Sequence, residues 1–218
     1  MRRPADLSPP WRAAFDEAWA SAQAGNFGVG AVLADPATGQ IVSRGRNRVA
    51  ERPSEAGVIA GNMTAHAEMN AFAALDRFNA QGLHLYTTLE PCLMCAASAM
   101  LLKVEHVHLA VVDEFFDDLD DLWEAHQLTA ARRPGRSVPF DVEGDEMPVL
   151  ASFARVLPML FTIRTFPESS AAALARERHP RLATFCERRA AAPDAHEEWL
   201  ALDLDEAVES FAADVGRL

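Results

Sequence analysis

The sequence predicts an α/β sandwich built around one sheet, followed by an α-helical extension at the C-terminus. Two observations predict this fold class. Over the first half of the chain, helical and strand-like patterns alternate, which is typical of helices packed on a single sheet. From residue 148 onward, only helical patterns occur. At 218 residues the chain is long enough for one core with additions or for two small domains.

The N-terminal region predicts one helix and a β-hairpin. Ser8 and the two prolines after it are typical of a helix start. Apolar side chains then recur three and four residues apart until Gly25: Trp11, Phe15, Ala18, Trp19 and Ala22. Two short β-prone runs, 28–34 and 40–46, are separated by an Asp-Pro-Ala-Thr-Gly sequence. Because these are strong turn residues, the two runs are expected to form a hairpin.

Two more helices and two more strands are expected after a long polar loop over 47–63. The Ala-rich segment 64–75 predicts a helix capped by Thr64. A second helix is predicted over 92–102, with Pro91 in its first turn. The two further strands are expected at 83–88 and 106–112.

The C-terminal part is predicted to be helical. An acidic run over 113–121 leads into a predicted helix at 122–131, and helices are expected to fill 148–218 after a polar stretch. Helix breaks are expected at prolines: Pro158, Pro167, Pro180 and Pro193. These observations predict a core domain over 1–131 and a helical extension over 132–218 that packs on the core or at a dimer interface.

Composition favours a cytoplasmic protein without a polyanionic partner. The net charge is −12, and residues 113–218 carry 22 acidic against 11 basic side chains. Since nucleic-acid binding depends on a basic face, tRNA is disfavoured as a partner, although an Arg cluster around 44–52 keeps it open. No apolar run approaches the roughly 18 residues that a membrane helix needs. Three cysteines, two of them close together, favour a metal or redox role over a disulfide framework.

Two short motifs predict a catalytic zinc site. Cys92 and Cys95 are spaced by one helical turn, and thiolates at a helix start are stabilised by the helix dipole. His66, at the start of another helix, supplies a third ligand and leaves one tetrahedral position open, as in catalytic zinc sites. Glu68 is not needed as a ligand and is free to act as an acid and base. Because residues two apart on a helix face different ways, His66 and Glu68 can both reach only a site beyond the helix N-terminus.

Two simpler interpretations compete with catalytic zinc. A structural zinc site needs a fourth protein ligand, and the candidates His84, His106 and His108 lie on strands that do not obviously converge on the metal. A redox Cys-x-x-Cys pair leaves the His66-Ala67-Glu68 motif unexplained.

The motifs resemble the zinc deaminases of the cytidine-deaminase superfamily, whose pattern is His-x-Glu followed by Pro-Cys-x-x-Cys. Four separated blocks, within residues 10–115, resemble the tRNA-adenosine, guanine and cytosine deaminase branch. They are Val29-Gly30-Ala31-Val32, Arg44-Gly45-Arg46-Asn47-Arg48, His66-Ala67-Glu68 and the segment from Tyr86 to Ala96. The resemblance implies a three-layer α/β/α sandwich, one Zn²⁺ per chain and a homodimer.

The resemblance also implies roles for individual residues. Glu68 would take a proton from the attacking water and deliver it to the ring nitrogen and then to the leaving ammonia. Asn47, the backbone of Ala67 and the side chain of Phe27 would bind the substrate. Gly28 departs from the family, whose members often carry proline or a larger residue there.

The function predicted is zinc-dependent hydrolytic deamination of a free nucleobase or nucleoside, such as guanine, cytosine or a related ring, with release of ammonia. The first alternative is adenosine-to-inosine deamination in tRNA. The second is a catalytically idle zinc-binding module that acts through its helical extension. The ring that is deaminated is left open, since the extension lies outside the resemblance.

Overall fold

The computed structural model describes residues 3–52, 57–114 and 138–216, which form one sheet with helices on both faces. The five strands are β1 (Gly30–Ala34), β2 (Ile41–Arg46), β3 (His84–Thr87), β4 (His106–Leu109) and β5 (Phe140–Val142). The first three helices are α1 (Pro9–Gln23), α2 (Ala67–Ala73) and α3 (Leu93–Leu101). The C-terminal helices are α4 (Pro148–Thr165), α5 (Ser170–Arg178), α6 (Pro180–Ala191), α7 (Pro193–Leu200) and α8 (Leu204–Gly216).

The strand order is β2-β1-β3-β4-β5. Strand β1 pairs antiparallel with β2 and β3, whereas β3–β4 and β4–β5 are parallel. The predicted hairpin is therefore confirmed. In its turn, Asp35 accepts hydrogen bonds from the N–H groups of Ala37 and Thr38, and Gly39 adopts a φ of +71°. That value lies in the left-handed region that glycine favours.

Each face of the sheet has its own apolar layer, as expected from the alternation of side chains along a strand. Ala31 and Leu33 pack with α2 and α3, while Val32 packs with α1 and α4. The predicted three-layer α/β/α sandwich is thus confirmed. The C-terminal helices join the α1 side, where the rings of Trp19 and Trp199 lie 4.9 Å apart.

Helix α4 runs through Pro158, so the break predicted there is wrong. Proline removes one backbone hydrogen bond and costs a helix interior roughly 3 kcal/mol. Leu157, Met159 and Leu160 on either side of it are all buried, and this burial offsets the loss. The hydroxyl of Thr162 donates to the Pro158 carbonyl one turn earlier. The other expected breaks, near Pro167, Pro180 and Pro193, lie between helices.

Two predicted helix starts are also corrected. Helix α2 begins at Ala67 with His66 as its N-cap, so Thr64 is not the cap. Helix α3 begins at Leu93 with Cys92 as its N-cap, which places Pro91 before the helix and outside its first turn. In both cases the N-cap backbone is extended rather than helical.

Strand β5 was not predicted. It lies in the polar stretch after residue 131 and has only three residues, too few for an alternating pattern to be recognised. The predicted helix at 122–131 and the predicted domain boundary after residue 131 lie outside the described residues. Within residues 3–52, 57–114 and 138–216, the helices are all too short or too polar to cross a bilayer.

Gly45 on β2 allows α2 to approach the sheet closely. A Cβ atom at this position would lie 2.2 Å from both the Ala67 carbonyl oxygen and the Ala71 nitrogen. Both are backbone atoms of α2, so they cannot move unless the helix moves. Because Ala67 is the first residue of α2, Gly45 fixes the distance between the sheet and the N-terminus of that helix.

Replacing Gly45 with alanine is expected to displace α2 and to destabilise the fold by about 3 kcal/mol, as overpacking against backbone atoms does. Urea unfolding, monitored by circular dichroism, measures the change in the free energy of unfolding. Gly216→Ala is the matched control, because a Cβ atom there meets nothing within 4 Å. Equal stabilities of the two variants would contradict the close approach.

Candidate metal centre and pocket

The N-termini of α2 and α3 meet beside the end of β3 and bring three metal-binding side chains together. His66 and Cys92 are the N-caps of the two helices, and Cys95 lies in the first turn of α3. The His66 carbonyl accepts the first α2 hydrogen bond from Asn70, and the Cys92 carbonyl accepts that of Ala96. The His66–Glu68 spacing predicts a site beyond the end of the helix, and the structure places these side chains there.

The three donor atoms have the spacing of a tetrahedral zinc site. The sulfurs of Cys92 and Cys95 are 3.7 Å apart, and His66 Nδ1 lies 3.4 Å and 3.6 Å from them. Zinc bonds of about 2.3 Å to sulfur and about 2.0 Å to nitrogen, at tetrahedral angles, require about 3.8 Å between sulfurs and about 3.5 Å between sulfur and nitrogen. The residues therefore fit a zinc ion with three protein ligands and one further position.

Hydrogen bonds within this cluster favour a thiolate. The hydrogen bond between the two sulfurs lowers the pKa of Cys92 to about 4 and raises the pKa of Cys95. The contact with Cys92 also raises the pKa of His66. A metal ion would take the place of the shared protons, since metal binding requires deprotonated thiolates and a neutral imidazole.

Glu68 lies beside the donor atoms without belonging to their set. Its side chain is only 3% exposed, and burial raises the pKa of its carboxyl group. The hydroxyl of Thr87, at the end of β3, donates a 3.0 Å hydrogen bond to Oε1 and opposes this rise. The same Thr87 hydroxyl lies 2.9 Å from the Leu89 carbonyl. The carboxylate is thereby held in one position against the sheet.

Asn70 ties the N-terminal part of α2 to its surroundings. Its side-chain amide donates to the carbonyls of Arg46, Ile59 and His66, and Oδ1 accepts the N–H of Ile59. Only the hydrogen bond to the His66 carbonyl links Asn70 to its own helix, and the others link it to Arg46 and Ile59. Asn70 joins α2 to the end of β2 and to the loop before the helix.

A cavity of about 390 Å³ opens beside Glu68. Six of the seven site residues expected from the sequence line it: Phe27, Asn47, His66, Ala67, Glu68 and Cys92. The seventh, Cys95, is fully buried behind the cavity wall. Asn47 directly follows β2, and its Oδ1 accepts the Val49 N–H. The ring of Phe27 lies 4.1 Å from that of Phe161 on α4.

The helical extension forms much of the cavity wall, which sequence reasoning did not predict. Wall residues from this part include Arg155, Met159, Phe166, Leu174, Arg178 and His179. The Glu114 carboxylate forms ion pairs with Arg155 at 2.7 Å and Arg178 at 3.8 Å, and it lies 2.8 Å from His179 Nε2. One feature of the sequence could have pointed to this wall. Arg155 is a charged residue placed among the buried apolar positions of α4.

Two residues of the acidic run, Asp113 and Glu114, line the cavity as well. The N–H of Asp113 donates to the buried carboxyl group of Glu90 at 3.0 Å. The remainder of the run, 115–121, lies outside the described residues. The first two residues of the acidic run therefore line the cavity and are not part of a solvated surface segment.

Comparison with known proteins finds zinc-binding deaminases among those similar to this chain. Residues 9–111 match the family described as the zinc-binding region of cytidine and deoxycytidylate deaminases. The chain is similar to the tRNA-specific adenosine deaminase of Aquifex aeolicus, with 35% identity over 107 residues, which are 47% of this chain and 64% of that protein. The enzyme of the same name from Bacillus subtilis is 37% identical over 105 residues, 46% of this chain and 58% of the relative. The match thus spans less than two thirds of either relative.

A guanine deaminase from Nitrosomonas europaea has a similar structure. The TM-score is 0.50 at 18% identity, over 68% of this chain and 82% of that chain. At this identity the similarity shows the shared fold alone.

Cobalt substitution is expected to distinguish the ligands from Glu68. With Co²⁺ bound, the full chain should show sulfur-to-metal charge-transfer absorption, because two thiolates are ligands. Cys95→Ala should roughly halve this absorption per bound Co²⁺, because one of the two thiolates remains. Glu68→Gln should keep it, since the carboxylate is not needed as a ligand. Loss of the band in Glu68→Gln, with circular dichroism unchanged, would place Glu68 among the ligands.

Proposed function

The chain belongs to the cytidine-deaminase superfamily, and on that premise we propose that it is a zinc-dependent hydrolytic deaminase of a free nucleobase or nucleoside. The observation that carries the proposal is the buried Glu68 carboxylate, held beside three metal-binding donors at the wall of a cavity. A structural zinc site is held by four protein ligands and does not need an unligated carboxylate beside it. The superfamily resemblance extends the proposal to a cytoplasmic homodimer.

In the proposed mechanism, His66, Cys92 and Cys95 hold the zinc ion. When bound, zinc lowers the pKa of a water molecule toward neutrality and so supplies a nucleophile. Glu68 would accept one proton from the attacking water and pass it to the ring nitrogen. It would then carry the remaining hydroxyl proton to the amino group, which leaves as ammonia as the ring carbonyl forms. Thr87 positions the carboxylate through its 3.0 Å hydrogen bond.

The remaining proposed contacts orient the ring. Asn47 uses Oδ1 to accept the Val49 N–H, so its Nδ2 group is left to donate to the substrate. Ala67, at the start of α2, presents its backbone to the cavity, and Phe27 contributes an aromatic wall. A flat heteroaromatic ring suits such an arrangement, which combines apolar walls with a few polar groups.

The size and walls of the cavity favour a small substrate. A volume of about 390 Å³ is within the range of small-molecule sites. Helices α4 and α5 close one side of the cavity, where a macromolecular substrate would need open access. The chain is also strongly acidic, with a net charge of −12. An RNA substrate would instead require a basic surface for the phosphates.

The second candidate is adenosine deamination in tRNA, which is favoured by the names of the relatives from Aquifex aeolicus and Bacillus subtilis. Those similarities cover less than half of this chain, and the family match ends at residue 111, before the helical extension. Since the extension lines the cavity, the relatives' substrate does not transfer directly to this chain.

Ammonia release from a panel of free bases and nucleosides tests the substrate class. We expect turnover of at least one purine or pyrimidine ring, and a loss of kcat of about 10³-fold in Glu68→Gln, because proton transfer contributes about 10²- to 10⁴-fold. No turnover across the panel, together with inosine formation in transcribed tRNA, would establish the second candidate instead. If neither the panel of bases and nucleosides nor the transcribed tRNA is deaminated, the proposed activity is overturned.

Replacing Thr87 with valine is expected to move the acidic limb of the kcat/KM profile to higher pH. The Thr87 hydroxyl stabilises the charged carboxylate, so its loss raises the pKa of Glu68 and the base form disappears at a higher pH. A hydrogen bond of about 1 kcal/mol corresponds to a shift of about 0.7 pH unit. Thr87→Ser retains the hydroxyl and should keep the wild-type profile. A profile unchanged in Thr87→Val would contradict the positioning role.

A further inference from the structure

Three histidines and an aspartate meet on the face of the sheet opposite to Glu68. His84 lies on β3, His106 and His108 lie on β4, and Asp141 lies on β5. In the strand register His84 pairs with His106, and His108 pairs with Asp141. The intervening residues of β3 and β4 pack with α2 and α3, so the histidines face the α1 side.

The side chains in this cluster contact one another directly. His106 Nε2 lies 2.8 Å from an Asp141 carboxylate oxygen, and His84 Nδ1 lies 2.9 Å from His108 Nε2. The ring centroids of His106 and His108 are 4.6 Å apart. One donor atom each from His106, His108 and Asp141 lie within 4.8 Å of one another.

Glu143 fixes the proton on His108. The indole N–H of Trp11 donates to one carboxylate oxygen of Glu143 at 2.7 Å. The other oxygen lies 2.6 Å from His108 Nδ1. Because a carboxylate oxygen accepts at this distance, the His108 proton lies on Nδ1, and Nε2 is left facing His84. A carboxylate that holds the distal nitrogen of a histidine is the usual outer partner of a metal-binding imidazole.

We propose that His106, His108 and Asp141 form a second binding site for a divalent transition-metal ion, separate from the thiolate site. Two imidazoles and one carboxylate suit zinc, nickel or copper, and they leave further positions for solvent. The sites lie on opposite faces of the sheet and share no ligand. The ion would join β4 to the three-residue edge strand β5.

His84 would compete with the metal for the lone pair on His108 Nε2. In the structure its Nδ1 lies against His108 Nε2, the atom assigned to the metal. Binding must therefore break this contact. Affinity is expected to rise when His84 is replaced by asparagine, whose shorter side chain leaves the His108 lone pair free.

Calorimetric titration of the tag-free, zinc-loaded full chain with Ni²⁺ tests the proposal. We expect one equivalent to bind, with at least about 10-fold weaker affinity in His106→Ala and Asp141→Asn. Asp145→Asn, a change at an exposed carboxylate close to Asp141, is the matched control and should bind like the wild type. Circular dichroism confirms folding of each variant.

Glu143→Gln separates the outer partner from the ligands. It should lower the affinity while the stoichiometry stays at one equivalent, because the ligand set is unchanged. Failure of the wild-type chain to bind this equivalent, or equal binding by His106→Ala, Asp141→Asn and Asp145→Asn, would overturn the proposal. Neither outcome bears on the deaminase function, which is measured separately as ammonia release.

Discussion

The structure depends on the meeting of two helix N-termini at one end of the sheet. The donor atoms of His66, Cys92 and Cys95 lie 3.4–3.7 Å apart only because both N-cap residues have extended backbones and point past their helices. Neither helix can tilt without separating the donors. The close approach at Gly45 and the amide contacts of Asn70 hold α2 at its required position.

The candidate metal ligands and Glu68 are close together in the sequence, whereas much of the cavity wall comes from distant parts of the chain. The donor set and Glu68 lie within residues 66–95. The cavity is bounded on one side by α4 and α5, and α4 begins more than 50 residues after Cys95. Phe161 packs on Phe27, and Arg155 pairs with Glu114, so the extension shapes the wall directly.

The sequence predicts the order of elements up to β4, because alternating and helical periodicities are local properties. It also predicts which side chains come together as candidate metal ligands, since the His66–Glu68 and Cys92–Cys95 spacings reflect helix geometry. The continuation of α4 through Pro158 could not be predicted, because burial of its neighbours by other helices outweighs the local penalty. Strand β5 exists only through its pairing with β4, which leaves no periodic signal in three residues.

The alternation of side chains along β3 and β4 separates the sheet into two chemically different faces. On β3, Thr87 points to Glu68, while His84 and Tyr86 point the other way. The first face offers thiolates, which prefer soft metals, and the second offers imidazoles and carboxylates. An ion at the second face would hold the sheet edge on the α1 side, where Glu143 bonds Trp11. Because Trp11 belongs to the same core as α4, this edge is continuous with the layer that closes the cavity.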